Sequence, residues 1–287
     1  MKYHIPVLYH EKLPNLADQL ETSFDIGLTD WKASAKTKSR VQLFFRADDI
    51  GVPSENFRKL IQLFQKHHLP LCLAVVPSWL TASRLRQLYD ITGLDTAQWC
   101  WHQHGRLHKN FEPQGKKQEF GPARSADEIR HHLSLGKNRL QDILQERFAL
   151  YFTPPWNRCS MATVQALDTL GFLGISRFAG AKPDISGILP EYAVNVDLHT
   201  RKESTAESAA NALFTQLQTA LASGFCGIMI HHQLMNEHAF FLLDMLLAEV
   251  AQRAAIQPCL FQDFTKMDSE AKTAIDRAEV EHTPLPS

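Results

Sequence analysis

The chain has 287 residues, of which 44% are hydrophobic, and 30 basic against 31 acidic side chains leave a net charge of −1. This composition supports a substantial hydrophobic core in one large domain or two small ones. The sequence has no long run of either charge, which excludes the basic surface that nucleic acids or anionic membranes would need. A small or neutral partner is therefore expected.

The N-terminus and the cysteines indicate a reducing compartment. The first ten residues lack the continuous apolar run of a signal peptide, and no later stretch has the roughly 20 apolar residues of a membrane span. We therefore expect a cytoplasmic protein. The five cysteines include no C-x-x-C pair and lie mostly in apolar runs, so we interpret them as reduced core residues. They are Cys72, Cys100, Cys159, Cys226 and Cys259.

Apolar runs and the segments between them predict an α/β fold. Short apolar runs bounded by turn residues predict buried strands. They cover residues 41–47, 70–76, 98–103, 148–153, 171–177, 192–198, 225–231 and 258–261. Apolar residues spaced by three and four predict amphipathic helices between most of them, the longest from a capping box at Ser125 and Glu128 to about residue 147. This alternation predicts one domain of parallel strands, closed or nearly closed into a (β/α) barrel.

Three regions are expected along the chain. Residues 1–40 form an N-terminal extension packed on the outside, residues 41–264 form the barrel, and residues 265–287 form a charged tail that is partly disordered. The segment between His108 and Ser125 is too long and too rich in glycine, proline and charge for a tight turn. A substrate-covering loop and a plain surface excursion are both open interpretations of it.

Reactive residue types follow the carboxyl ends of five predicted strands. In parallel α/β folds these ends meet on one face, where active sites gather. Since random polar placement would not favour one end of the strands, this pattern predicts a single site. The residues are Asp48 and Asp49 after the first strand, His102, His104 and His108 after the third, Thr153, Pro155, Trp156, Asn157 and Arg158 after the fourth, Asp197 and His199 after the sixth, and His231 and His232 after the seventh.

Four of these residues, Asp48, Asp49, His104 and His108, predict a metal site with a spare carboxylate. One aspartate and two histidines can hold a divalent cation with open positions, and the second aspartate is then free to act as a base. Adjacent strand residues face opposite sides, so the two carboxylates can have separate tasks. The i, i+4 spacing of the histidines would bring their imidazoles together if the segment takes a helical turn. The alternative for the aspartates is the capping of a strand-to-helix turn.

The other histidines and Asp197 extend this hypothesis. His231 and His232 follow a buried run, and a histidine there could protonate a leaving group. Asp197, also at a strand end, could hold that imidazole in orientation. His102 shares a strand face with His104, and a core position is the favoured interpretation for it over a supporting role at the site.

The loop after the fourth predicted strand suits sugar binding. Pro155 and the proline before it end the strand ladder and stiffen the loop. Trp156 and Asn157 follow, and an indole beside a polar cleft is a common surface for sugar stacking. The alternative is a rigid turn with a tryptophan in the core.

Four of these motifs resemble those of the polysaccharide deacetylase superfamily, the metal-dependent enzymes with a NodB homology domain. R-A-D-D-I-G at residues 46–51 is similar to T-F-D-D-G, and H-G-R-L-H at 104–108 is similar to H-S-x-x-H. T-P-P-W-N at 153–157 resembles R-P-P-Y-G, and I-M-I-H-H at 228–232 resembles the closing L-x-H. The resemblance covers residues 41 to 262 and implies a distorted (β/α)7 barrel.

The resemblance also implies an activity and roles for the residues. It implies the removal of acetyl groups from N- or O-acetylated saccharides with a divalent ion, for which Zn²⁺ is the first candidate. Asp48 would be the catalytic base, Asp49 would bind the metal with His104 and His108, and His231 would be the general acid. The third motif would contribute substrate-binding residues, namely Pro155, Trp156 and Asn157.

Two departures from the family pattern leave questions open. Thr153 stands where the third motif has an arginine that supports the catalytic aspartate, so that support is missing or comes from Arg46 or Arg158. His232 replaces an aspartate that often follows the closing histidine, which leaves open which of the two histidines is the acid. Because no export signal is visible, we expect a soluble, smaller saccharide or a related acylated metabolite rather than a cell-wall polymer.

Two other functions remain as alternatives. One is a catalytically inactive saccharide-binding protein with a deacetylase-like fold, suggested by the missing motif arginine. The other is a non-haem iron oxygenase, because two histidines and a carboxylate also bind Fe(II). Those enzymes usually present the ligands as H-x-D with a distant histidine on a β-rich scaffold, and neither feature is visible in this sequence.

Overall fold

Parallel strands alternate with helices along the chain. The computed structural model describes residues 4–11, 13–34, 40–93 and 97–267. Its strands are β1 (Val41–Ile50), β2 (Leu71–Val75), β3 (Trp99–His104), β4 (Phe148–Thr153), β5 (Gly174–Ile175), β6 (Val196–Asp197), β7 (Phe225–Ile230) and β8 (Ile256–Pro258). Its helices are α1 (Leu16–Ser34), α2 (Glu55–Lys66), α3 (Ala82–Thr92), α4 (Ala126–Leu144), α5 (Met161–Thr169), α6 (Ala206–Ala222), α7 (Glu237–Gln252) and α8 (residues 261–267).

The strands curl into a distorted barrel. They pair in parallel in the order β5-β4-β3-β2-β1-β7-β6, and β8 pairs with the start of β1. Isolated β-bridges connect the region of β5 with the segment that leads into β6. They join Ile175 to Glu191 and Phe178 to Val194. The predicted fold class, a single α/β domain of the distorted (β/α)7 type, is therefore confirmed.

Most strands lie where the sequence predicted them, with one error. The prediction for residues 258–261 was wrong, because β8 ends at Pro258 and α8 begins at Phe261. The apolar run there is the buried start of α8 rather than a strand. The predicted tail begins inside α8, and its residues 268–287 lie outside the described residues. The boundaries of the three expected regions stay a prediction.

Side chains of β1 alternate between the barrel interior and the helical layer. Phe44 packs inside the barrel with aromatic and sulfur side chains, while Leu43 and Phe45 belong to the core beneath the helices. This period of two places Arg46 and Asp48 on the same inner face as Phe44. The five cysteines are free and buried, as predicted.

The one helix cap that the sequence predicted is formed, and the structure shows a second at the start of α2. The Ser125 side chain accepts a bond from the Glu128 N–H at the start of α4, and Glu128 returns the bond to Ser125, which is the predicted capping box. Ser54 caps α2 by accepting a bond from the Phe57 N–H, so that helix starts close behind β1 and buries Phe57, Leu60, Ile61 and Phe64.

The N-terminal part packs beside β6. Helix α1 lies against α6, where Gly27 faces Leu221 so closely that a Cβ on Gly27 would be 2.8 Å from the Leu221 Cβ. The Tyr9 hydroxyl donates to the Leu198 carbonyl at 2.7 Å, and the Tyr9 ring lies 5.5 Å from that of His199. None of the described helices is long and apolar enough to cross a membrane.

His102 and His232 are buried, and neither ring bonds a carboxylate among the described residues. His102 lies inside the barrel with its Nε2 2.9 Å from the Thr153 hydroxyl, which is the core position favoured for it. His232 packs against Phe57 of α2, with ring centroids 5.8 Å apart. Burial lowers the pKa of His102 to about 3 and that of His232 to about 4, so both are neutral in the folded protein.

The burial of these two neutral histidines predicts that the free energy of unfolding depends on pH. Their folded pKa values lie below the ordinary 6.5, so the unfolded chain binds the extra protons as the pH falls through about 6.5 toward about 4. Each histidine should then lower the free energy of unfolding by up to about 1.4 kcal/mol per pH unit. Denaturant unfolding across this range should give a shallower slope for His102→Leu than for the unchanged protein. Equal slopes would contradict the burial of a neutral His102.

Candidate active site

A β-bulge in β1 aims both aspartates at the mouth of the barrel. Ala47 pairs with Leu73 and Ile50 pairs with Val75, so β1 has one residue more than β2 between these pairs. The extra residue is accommodated by Asp49, whose backbone is left-handed with φ 64°. Simple alternation predicted that the two carboxylates would face opposite sides of the strand. Because of the bulge, they do not. They lie together, at 2% and 6% exposure.

Asp48 is held by a buried arginine from its own strand. Arg46 Nε donates to Asp48 Oδ1 at 2.8 Å and Nη2 donates to Oδ2 at 2.9 Å. Burial by itself would raise the pKa of Asp48, but the Arg46 charge, helped by the nearby histidines, outweighs it and lowers that pKa. Asp48 is thus an ionised carboxylate at neutral pH, and its partner is Arg46, the first of the two arginines that the sequence left open.

Arg46 itself is fixed by two further elements. Its Nη1 donates to the carbonyl and the hydroxyl of Ser176, at 3.0 and 2.8 Å, just beyond β5. Its Nη2 also donates to the Asn157 side-chain oxygen at 2.8 Å, in the loop after β4. These bonds satisfy a fully buried guanidinium and fix its orientation toward Asp48.

Asp49, His104 and His108 converge on one point. Asp49 Oδ1 lies 3.3 Å from His104 Nε2 and 3.1 Å from His108 Nε2. The ligand atoms of the three side chains all lie within 4.8 Å of one another. This is the grouping that the sequence predicted for a metal.

The three side chains fit a divalent cation. Asp49 Oδ1 is buried and has no hydrogen-bond partner among the described residues. His104 Nδ1 donates to the Thr153 carbonyl at 3.0 Å, which leaves Nε2 as the nitrogen that faces Asp49. Burial lowers the pKa of His108 to about 4, so that imidazole is neutral near pH 7, as a metal ligand must be.

The two histidines meet through a loop rather than a helix. The predicted helical turn is wrong, because His108 is left-handed at φ 52° and Gly105 at φ 57°. Instead, the buried Glu119 carboxylate accepts three successive backbone N–H groups, those of residues 106–108, at 3.0, 2.7 and 2.9 Å. A Cβ on Gly105 would collide with this carboxylate and with the Pro155 ring. Sequence reasoning missed Glu119, since nothing local marks a carboxylate that bonds a loop eleven residues away.

Two tryptophans flank His108. The Trp156 ring centroid lies 4.8 Å from that of His108, and the Trp79 centroid lies 5.5 Å from it. Both indoles are half-buried, so part of each ring faces solvent. Trp79 was also missed, although its place just after β2 is the same strand-end signal that marked the other residues. The pair gives the mouth an apolar wall on which a sugar ring can stack.

His231, and not His232, faces Asp48. His231 continues the inner face of Met229, and its Nε2 lies 4.0 Å from Asp48 Oδ2. His232 falls on the outer face against α2 and is 1% exposed. The His231 N–H donates to His199 Nδ1 at 3.2 Å, which ties the end of β7 to the segment after β6. The two histidines, which the sequence could not distinguish, therefore differ in position: His231 faces Asp48 and His232 does not.

Asp197 and Arg158 lie away from their predicted partners. Asp197 accepts bonds from the His199 N–H and from the backbone and hydroxyl of Thr200, so it caps a turn. Within the described part of the chain, no hydrogen bond joins it to His231. Arg158 donates to the Lys117 carbonyl at 3.5 Å and is not bonded to Asp48. The contact considered between Asp197 and His231 is therefore not formed, and neither is the one between Arg158 and Asp48.

The predicted substrate residues have different positions. Pro155 is buried, and its ring packs against Gly105 in the loop that carries His108. Asn157 bonds Arg46, so its side-chain oxygen is occupied within the protein. Trp156 is partly exposed and lies against His108, and its backbone, like that of Asn157, is left-handed. Left-handed residues other than glycine thus cluster at the site, as strained backbone often does at functional sites.

Comparison with known proteins identifies the fold. No protein-family model matches the chain, and no curated protein matches it in sequence. Among solved structures, it is similar to a Mycobacterium smegmatis protein described as a candidate polysaccharide deacetylase, with a TM-score of 0.62 and 14% identity over 83% of this chain and 93% of that one. It is also similar to a family 4 acetyl xylan esterase from Clostridium thermocellum in complex with a cobalt ion, with a TM-score of 0.50 and 14% identity over 79% and 92% of the two chains. The chain therefore shares the fold of these two structures, and this is the fold that the four motifs implied.

Replacement of Arg46 by methionine should destabilise the protein. The change leaves the Asp48 carboxylate buried without its cation, which we expect to cost about 3–5 kcal/mol of unfolding free energy. Arg158→Met, which removes a partly exposed arginine next to the site, should cost less than about 1 kcal/mol. Denaturant unfolding at neutral pH measures both values. Adding Asp48→Asn to Arg46→Met should restore part of the loss, and a double variant no more stable than Arg46→Met would contradict the pairing.

Replacement of Glu119 by glutamine should weaken metal binding. The amide keeps the size of the side chain but offers one acceptor oxygen where the carboxylate uses two, so the loop that carries His108 loses part of its support. We expect a rise of about 10- to 100-fold in the metal Kd, measured by competition with a chelator. Glu112→Gln, in the same segment but without a bond to residues 106–108, is the matched control. An unchanged Kd in Glu119→Gln would show that the carboxylate does not support the ligand.

Proposed function

We propose that the protein is a metal-dependent hydrolase that removes an acetyl group from an N- or O-acetylated saccharide. The observation that carries the proposal is that two adjacent carboxylates have different partners. Asp49 shares one point with His104 and His108, whereas Asp48 lies beside them and is bonded to Arg46. One carboxylate is therefore available to a cation, and the other remains free to take a proton.

The metal would occupy the point shared by Asp49, His104 and His108. A divalent cation bound there, most simply Zn²⁺, would polarise the acetyl carbonyl and lower the pKa of a bound water toward neutrality. Three protein ligands leave coordination positions for that water and for the substrate. The acetyl xylan esterase with the same fold, which was obtained with a cobalt ion, is compatible with this assignment.

The other side chains supply proton transfer and sugar contact. Asp48, ionised at neutral pH, accepts the proton of the attacking water. His231, within 4.0 Å of Asp48, donates a proton to the departing amine or alcohol. Trp79 and Trp156 provide apolar faces for the sugar ring and reduce the access of bulk water.

The two alternative functions are less well supported. An inactive saccharide-binding protein was suggested by Thr153 at the position of the motif arginine. Arg46 holds Asp48 with two bonds from the same strand, which gives the support that Thr153 does not provide and weakens the reason for expecting inactivity. The iron oxygenase hypothesis came from the two histidines and the carboxylate, but those enzymes usually have a β-rich scaffold, whereas this fold is a (β/α) barrel. A small acetylated saccharide in the cytoplasm remains our proposal for the substrate and its location.

Metal analysis and acetate release test the proposal together. The purified protein should hold about one divalent ion and release acetate from a panel of acetylated mono- and oligosaccharides. Asp48→Asn should lower turnover by about 10²- to 10⁴-fold while the metal stays bound, because it removes the base and none of the ligands. His104→Ala and His108→Ala should each lose the metal.

His131→Ala, which removes an exposed histidine of α4, is the control and should keep both metal and activity. Undiminished acetate release by Asp48→Asn would refute the assignment of the base. Full metal occupancy in both ligand variants would remove the two histidines from the metal site.

A further inference from the structure

The segment that follows His108 is an ordered rim beside the candidate site. We call residues 109–125 the rim segment. The Asn110 side chain accepts bonds from the N–H groups of Glu112 and Gln118, at 3.1 and 2.9 Å, and the Phe111 N–H donates to the Gln118 carbonyl at 2.9 Å. At its far end, the Phe120 carbonyl accepts a bond from the Ser160 N–H at 2.9 Å. These bonds order the backbone from which the side chains of the rim segment extend.

In the rim segment, the acidic side chains face the backbone and the lysine side chains face solvent. Its two carboxylates turn toward the backbone, because Glu119 accepts three N–H groups of residues 106–108 and Glu112 accepts the Ala123 N–H at 3.2 Å. Its lysines, including Lys116 and Lys117, are exposed. The outer surface of the rim segment is therefore cationic, although the whole chain has a net charge of only −1.

Two cations, one from the rim segment and one from the loop after β4, lie beside the candidate site. Lys117 Nζ is 6.0 Å from the centre of the Trp156 ring, which is itself 4.8 Å from the His108 ring. Arg158 follows the same loop and donates to the Lys117 carbonyl at 3.5 Å. Within the described ranges, neither Lys117 nor Arg158 forms an ion pair with a carboxylate.

Nearby carboxylates do not neutralise this pair of cations. Asp48 is bonded to Arg46, and Asp49 is directed at the two histidines. A substrate that stacks on Trp156 would therefore meet two positive charges at one edge. Such charges attract an anionic group and bind it by charge-assisted hydrogen bonds.

The geometry points to an acetylated saccharide that carries an anionic group, a carboxylate or a phosphate, which Lys117 and Arg158 bind while the sugar ring lies on Trp156. This inference rests on the proposed deacetylase function and narrows its substrate class. The composition alone suggested a small or neutral partner, and the local arrangement of charge favours a small anionic one.

Three matched sugars test the inference with the metal-loaded full chain. They are N-acetylglucosamine, which is neutral, N-acetylglucosamine 6-phosphate, and N-acetylmuramic acid, which carries a carboxylate. The unchanged protein should show a lower KM for at least one anionic sugar, and added salt should raise that KM more than the KM of the neutral sugar. The response of the two anionic sugars distinguishes a phosphate from a carboxylate.

Lys117→Gln should act on the anionic sugar alone. We expect its KM to rise about two- to fivefold, the effect of one exposed charge, with kcat unchanged and with the neutral sugar unaffected. Arg86→Gln removes an equal charge from an exposed position on α3 and should change neither KM. An equal effect of Lys117→Gln on neutral and anionic sugars, or a preference of the unchanged protein for the neutral sugar, would overturn the inference.

A binding measurement keeps the inference separate from the catalytic proposal. If no sugar releases acetate, the proposed function fails. Calorimetric titration of the same three sugars into metal-loaded Asp48→Asn then decides the inference without turnover. Tighter binding of an anionic sugar that weakens on adding Lys117→Gln supports it, while equal binding of all three, or no binding, refutes it.

Discussion

The buried ion pair between Arg46 and Asp48 is the constraint on which the site depends. Removing a carboxylate and a guanidinium from water costs several kcal/mol for each ion, and their attraction offsets this only when the remaining donors are also bonded. Arg46 meets that condition through Ser176 beyond β5 and Asn157 in the loop after β4, in addition to Asp48. One side chain thus joins three separate parts of the barrel, and the orientation of Asp48 depends on all of them.

The period of two in the strands explains which parts of the site were accessible from sequence. Phe44, Arg46 and Asp48 share the inner face of β1, so the partner of Asp48 lies two residues before it. The same rule places His231 inside the barrel with Met229 and sends His232 to the helical layer. Counting along a strand therefore shows which arginine bonds Asp48 and which of the two histidines faces it. Residues that obey the regular geometry of their element can be assigned before the structure is known.

The features that could not be predicted are the irregular ones. The bulge that turns Asp49 toward the histidines depends on pairing with β2, and Glu119 bonds a loop that lies eleven positions earlier in the chain. Neither leaves a periodic pattern, and the left-handed backbone of His108 removed the helical turn that its spacing suggested. Net charge was equally uninformative about the rim segment, because the sum over the whole chain hides where carboxylates turn inward and lysines outward. Motif chemistry and strand order were therefore predictable, whereas local backbone and local charge were not.

Glu119 has a consequence for how this protein could acquire a different substrate. The carboxylate joins the surface that would meet the sugar to the loop that carries His108, a proposed metal ligand, so the two parts of the rim segment tolerate change unequally. Residues 113–117 form an exposed outer turn, where changes in length or charge leave the ligand loop in place. Residues 118–120 do not have that freedom, since shifting them would move Glu119 away from the backbone it bonds. New specificity could therefore evolve at the tip of the segment without a simultaneous loss of catalytic competence.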